Sequence, residues 1–215
     1  MRVALALRKI GPDAVPPLYE ALADPEPSIR GWAAFTLGFA GIGGPVTPAK
    51  LAELLRDKDR DVKYRAVEAC ELWLKPEAWE ATLSVVEAIK DKDPEIRVRA
   101  IAGLSRHRPE ALSMFRPLTR VLQYDSAPEV RGAAADALGR IGPLAVHALA
   151  EALEDPNASV RCAAADAIGE IGPRAKAAGP ELIELTHTKD RVVRLMAVRA
   201  LRKVDAVAAV EAGVL

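Results

Sequence analysis

A fourteen-residue stretch occurs twice in this chain, VRGAAADALGRIGP from Val130 and, with three substitutions, VRCAAADAIGEIGP from Val160. Self-similarity of this length marks a repeat array, in which a unit buries its apolar face only by stacking on its neighbours. The same phase runs through nearly the whole chain. A β-branched residue followed by a basic one occurs at Ile29-Arg30, Val62-Lys63, Ile96-Arg97, Val130-Arg131, Val160-Arg161 and Val193-Arg194, at intervals of 33, 34, 34, 30 and 33 residues. Six positions before each basic residue stands Asp24, Asp57, Asp91, Asp125, Asp155 or, in the last unit, Thr188. Two apolar columns follow in step: Ala33, Ala66, Ala100, Ala134, Ala164 and Ala197, then Leu37, Cys70, Leu104, Leu138, Ile168 and Leu201.

Spacing inside a unit predicts helices. Val130, Ala134, Ala137, Leu138 and Ile141 share one face of an α-helix and do not alternate as a strand would. On this phasing Ala134 faces the seam, whereas Ala135 lies toward the exposed side. Gly142-Pro143 ends the helix and begins another, since glycine suits the C-terminal turn and proline the first helical position. A shorter helix then carries Leu149 and Leu153 before Asp155-Pro156 closes the unit. Each unit therefore reads as a pair, a shorter helix A and a helix B with the basic residue. The B helices should start near Asp24, Asp57, Asp91, Asp125, Asp155 and Thr188, and the fold class is all-α.

The recurring Asp, the Val/Ile-Arg pair and the Ala-Leu-Gly-x-Ile-Gly-Pro end of helix B resemble the HEAT repeat, in its bacterial phycobilin-lyase HEAT-like type. The resemblance spans all 215 residues. It implies a right-handed α-solenoid with B helices lining the concave side. It also implies kinks at Pro16, Pro117 and Pro180 within A helices. Each basic residue of the array would meet an Asp of its own or the adjoining unit. That gives a structural ladder of Asp24, Arg30, Asp57, Lys63, Asp91, Arg97, Asp125, Arg131, Asp155, Arg161 and Arg194. Lys63 and Thr188 depart from this pattern, and lysine lacks the planar fork that grips a carboxylate with two bonds.

The chain divides into one array: a partial unit at 1–11, units at 12–43, 44–75, 76–108, 109–142, 143–172 and 173–204, and a partial unit at 205–215. Both ends are apolar where solenoid caps are normally polar, which suggests part of a longer array.

Charge and composition exclude several chemistries. Thirty basic and thirty acidic side chains cancel, whereas a phosphate-tracking protein shows a basic stripe. Arg65, Arg99, Arg106 and Arg140 share B helices with Glu68, Glu71, Asp136, Asp166 and Glu170, and read as a mixed solvated surface. A membrane-spanning helix needs about 20 apolar residues in succession, and no such run occurs. A cytoplasmic setting is expected. Cys70 and Cys162 lie three units apart; at about 8–10 Å per helix spacing they are too far apart to bridge. Cys70 fills a core column, and Cys162 stands at a more accessible position. His107, His147 and His187 fall out of phase with the repeat and form no ladder. His107 falls in a core column. The glycine-rich Gly41–Gly44 run follows a helix and reads as a lengthened turn. No metal-ligand, P-loop or nucleophile motif occurs, so no cofactor, metal or catalytic residue is expected.

One departure from the repeat points to function. Trp32, Phe35 and Phe39 share a helical face, at positions held three units later by Ala133, Asp136 and Arg140. Leu72 is the equivalent of Phe39 in the next unit, and Tyr64 stands nearby. A contiguous exposed patch of this kind marks a protein-binding site; rings that fill the gap between B helices would be core. The expected function is a non-enzymatic scaffold that binds a protein or peptide on its concave face. The alternatives are a phycobilin lyase-like subunit assisting bilin attachment and a DNA-binding HEAT-like protein.

Overall fold

A turn built on the recurring Asp sets the start of each B helix. The computed structural model describes residues 6, 9–41, 47–72, 85–106 and 111–214, and these fall into two compact units, Met1–Pro109 and Glu110–Leu215. In the first unit the helices are α1 (Val15–Ala21), α2 (Pro27–Ala40), α3 (Thr47–Glu53), α4 (Arg60–Leu72) and α5 (Pro94–Arg106). The second unit contains α6 (Ala111–Tyr124), α7 (Pro128–Ile141), α8 (Val146–Glu151), α9 (Ala158–Ile171), α10 (Gly179–Thr186), α11 (Arg191–Val204) and α12 (Ala206–Glu211). All regular structure among the described residues is helical. His107 and most of the Gly41–Gly44 turn lie outside them, as does the opening segment apart from residue 6.

The B helices are α2, α4, α5, α7, α9 and α11, each beginning three residues after the recurring Asp or Thr188. The carboxylates of Asp24, Asp57, Asp91, Asp125 and Asp155 each accept the backbone N–H two residues on, at 2.8–2.9 Å. This closes the turn ahead of the helix. Proline then supplies the first helical position in α2 and α7. In α9 and α11 a side chain caps instead, Asn157 accepting from the Ser159 N–H and Asp190 from Val192 and Val193. At the other end Gly41 adopts φ 63° and donates to the carbonyls of Leu37 and Gly38. This left-handed cap costs glycine little.

The two apolar columns form the core. Every member is buried, from Ala33 to Ala197 and from Leu37 to Leu201. Two expectations need correction. Ala135 is fully buried, as are its equivalents Ala34 and Ala165. A B helix packs both on its A helix and on the adjoining B helix, as α7 does on α6 and α9, so its buried arc is wider than a single stripe. The three prolines expected in A helices all fall in them, but only Pro117 lies past the first turn, in the helix interior. Pro16 and Pro180 stand at the first turns of α1 and α10, each preceded by a 3-10 segment, Gly11–Ala14 and Gly172–Ala178. Proline there removes N–H groups that have no intrahelical acceptor anyway.

No described helix is long and apolar enough to cross a membrane. Both cysteines are free thiols. Cys70 is wholly buried, and its desolvation, with Glu71 adjacent, pushes the thiol up to about 12.

Candidate protein-binding face

The ladder joins successive units through a two-part grip. In the first unit the Arg30 guanidinium donates from Nε and Nη2 to both carboxylate oxygens of Asp57, at 2.7 and 2.9 Å. Its Nη1 donates to the backbone carbonyls of Asp24 and Pro25 in its own turn. Arg131 repeats this in the second unit, holding Asp155 at 2.7 and 2.8 Å and the Asp125 carbonyl at 2.9 Å. Arg97 and Arg161 make the same backbone contacts, to the carbonyls of Asp91 and Asp155. Lys63 reaches Asp91 with its amine. At the last step Arg194 still holds the Thr188 carbonyl at 2.8 Å, while the threonine side chain supplies no carboxylate for Arg161. The grip through the side chain thus links neighbours, and the grip through the carbonyl anchors each arginine to its own loop.

The aromatic face lies on α2, turned away from the Ala33–Leu37 core stripe. The Trp32 and Phe35 rings meet edge to face with centroids 5.7 Å apart. Phe35 and Phe39 stack at 5.8 Å with 15° between their planes. Trp32 is 53% exposed, and Phe35 and Phe39 are half-buried. The three side chains therefore form one continuous ledge that stays open to solvent. Leu72, on α4, is 55% exposed. Tyr64 is half-buried and makes no ring contact with the trio among the described residues.

Arginines from the next B helix complete the ledge. The Arg65 guanidinium lies 4.0 Å from the Trp32 ring centroid and 6.0 Å from that of Phe35. One unit further, Arg99 lies 5.6 Å from the Tyr64 ring. Arg99 is also paired: its Nη2 lies 3.0 Å from Glu68 Oε1 and donates to Glu71 Oε2 at 3.3 Å, while its Nε, 3.1 Å from Glu71 Oε1, is not aligned to hydrogen-bond it. Glu71 is almost wholly buried, and Gly103 makes room for it: a Cβ there would stand 2.4 Å from its Cγ. Sequence reading placed Arg65 and Arg99 in a diffuse mixed-charge surface and missed their role as lids on rings. The signal was in the repeat register. Trp32, Arg65, Arg99, Ala133, Ala163 and Met196 occupy one column, so each arginine stands beside the ring-bearing face of the preceding helix.

The corresponding face of the second unit carries charges of both signs, Asp136, Asp166 and Glu170 with Arg140, Arg199 and Lys203. There the Asp136 carboxyl is raised above its ordinary range by burial, then by the nearby charges of Glu170 and Asp166. The two units thus present different chemistry from equivalent positions. Among the described residues no group of His, Cys, Asp and Glu is arranged to hold a metal ion.

HEAT repeats match residues 1–71, 82–151 and 144–212, which is nearly the entire chain. The chain belongs to the HEAT-repeat family. No curated protein sequence matches this HEAT-repeat chain. Solved structures share its fold. YibA from Escherichia coli aligns at 20% identity with a TM-score of 0.65, covering 93% of this chain and 72% of that one. A designed armadillo repeat protein in complex with the peptide (KR)4 aligns at 21% identity and a TM-score of 0.62, covering 89% and 99%. The complex of CpcE and CpcF of phycocyanin lyase from Nostoc aligns at 22% identity and a TM-score of 0.53, covering 91% and 78%. At these identities the likeness concerns the fold, an all-α solenoid of paired helices.

Proposed function

We propose that this HEAT-repeat protein is a non-enzymatic scaffold in a cytoplasmic setting, and that it binds a protein or peptide segment on the B-helix face of its first unit. The observation that carries the reading is the solvent-open ledge of Trp32, Phe35 and Phe39, at positions that are small or charged three units later. Core packing accounts for the alanine and leucine columns without these rings. Exposed aromatics clustered on a rigid helix suit anchoring a partner, because they offer large area at little cost in side-chain freedom. Tyr64 and Leu72 extend the same face along α4, and a solenoid supplies the semi-rigid surface on which such anchors are held.

The test is to capture partners with the native chain and with Phe35→Asp, which restores the residue type found at Asp136. Binding should be lost while the melting temperature changes little. Intact binding together with a large fall in melting temperature would make the rings core and end the reading. A second reading, a phycobilin lyase-like subunit, is favoured by the fold likeness to the CpcE–CpcF complex; a shift in bilin absorbance on mixing would support it. The third, DNA binding, predicts salt-sensitive retention of duplex DNA, and the balanced charge of the chain speaks against it.

A further inference from the structure

Two arginines in one repeat column both lie over rings but differ in their acidic partners. Arg65 and Arg99 each lay a guanidinium on a ring of the preceding B helix. Arg99 is paired, its Nη2 meeting both Glu68 and Glu71. The fork of Arg65 is open: among the described residues it contacts the Trp32 and Phe35 rings and no carboxylate. Glu68, one turn further along α4, is already committed to Arg99.

The position of Arg65 is built into the seam. Its stem crosses Gly31, where an added Cβ would stand 2.9 Å from the arginine Cδ and 3.5 Å from Nε. Gly31 therefore clears the path that brings the guanidinium over Trp32. Stacking on the ring face leaves the N–H edge of the planar fork available, the geometry that takes a carboxylate with two parallel bonds. A segment seated on the ledge strips water from this edge. A desolvated cation left without an acceptor is strongly unfavourable, so a compatible segment must bring one.

Resting on the binding face proposed above, we propose that Arg65 is its anion receptor, and that the partner is a peptide segment with an apolar or aromatic side chain on the Trp32–Phe35–Phe39 ledge and an Asp or Glu carboxylate close beside it on Arg65. A nucleic-acid backbone is a poorer fit. It needs successive cations along its track, and the next one, Arg99, is neutralised by two glutamates.

The experiment uses the full chain and a phage-displayed random peptide library, with counter-selection against Trp32→Ala. Recovered peptides should pair an apolar residue with Asp or Glu. Changing that acid to Asn or Gln in the synthetic peptide should weaken binding by about tenfold or more, as expected for a charge-assisted bidentate contact. Against Arg65→Gln the acidic peptide and its amide counterpart should bind equally, and Arg65→Lys should recover part of the difference. Peptides that need Trp32 but are indifferent to the acid and to Arg65→Gln would overturn the receptor and leave the binding face standing. Failure to recover any Trp32-dependent peptide would overturn both. Displacement of bound peptide by duplex DNA that still binds Trp32→Ala and is released by salt would overturn the choice of a peptide. The acid-to-amide comparison needs no protein variant, so it decides the matter even if an Arg65 substitution fails to fold.

Discussion

Gly38 on α2 lies directly against Ala69 on α4, with no space for a side chain: a Cβ at position 38 would stand 2.5 Å from the Ala69 Cα and 2.7 Å from its Cβ. The obstacle includes backbone, so no rotamer change relieves it. Equivalent glycines in the second unit are less crowded. Gly139 would meet the Ala167 Cβ at 2.8 Å, and Gly169 would meet the Ala200 Cα at 3.2 Å. Gly38→Ala should therefore force α2 and α4 apart and cost about 1–3 kcal/mol, in the range of other overpacked cores. Gly139→Ala should cost less and Gly169→Ala least. Chemical denaturation of the three variants checks the order.

The alanine seam offers a second test. Ala134 and Ala135 are both fully buried, so leucine at either position should overpack and cost about 1–3 kcal/mol. Differential scanning calorimetry should show both variants with lowered melting temperatures. A normal melting temperature for Ala135→Leu would mean that the second packing surface yields easily.

The ladder predicts a dependence on pH. The bond from Arg30 holds the Asp57 carboxyl below its ordinary value. Burial works most strongly on Asp155 and raises it, but the bond from Arg131, the Asn157 N–H and the charges of Arg131 and Arg161 together outweigh it, and that carboxyl is also lowered. A carboxylate with a lowered folded pKa contributes stability above its unfolded value, about 3.9, and loses it as pH falls through the folded value. Asp57→Asn with Asp155→Asn should thus melt lower than the native chain at neutral pH. The gap should close as pH drops below about 4. Thr188→Asp, which restores the missing carboxylate opposite Arg161, should raise stability by up to about 1 kcal/mol near neutrality.

The thiols should react in sequence. Cys70 is buried, with its thiol pushed up to about 12, and should resist a disulfide reagent until the fold opens. Cys162 is part-exposed, but burial and then Asp190 raise its thiol as well, so it should react first yet slowly at neutral pH. Mass spectrometry of the labelled native chain would show the order. Rapid labelling of Cys70 under native conditions would reveal easy local opening of α4.

The repeat in the sequence determined the helix pairs, their starting points and the two buried columns, because helical period, turn chemistry and proline or glycine punctuation are local properties. The aromatic trio on α2 was equally visible, since three rings at helical spacing must share a face. Tertiary structure alone decided how wide the buried arc is, and Ala135 shows why. Burial depends on how many neighbours surround a helix, and no single helix encodes that number. Arg65 was undecided for a similar reason. Its charge was plain in the sequence, but its place on the Trp32 ring depends on a gap at Gly31, a helix away. The state of its fork depends on Arg99 claiming Glu68 first. Such competition among side chains from adjoining helices is settled by distance, and distance is set only when the units stack.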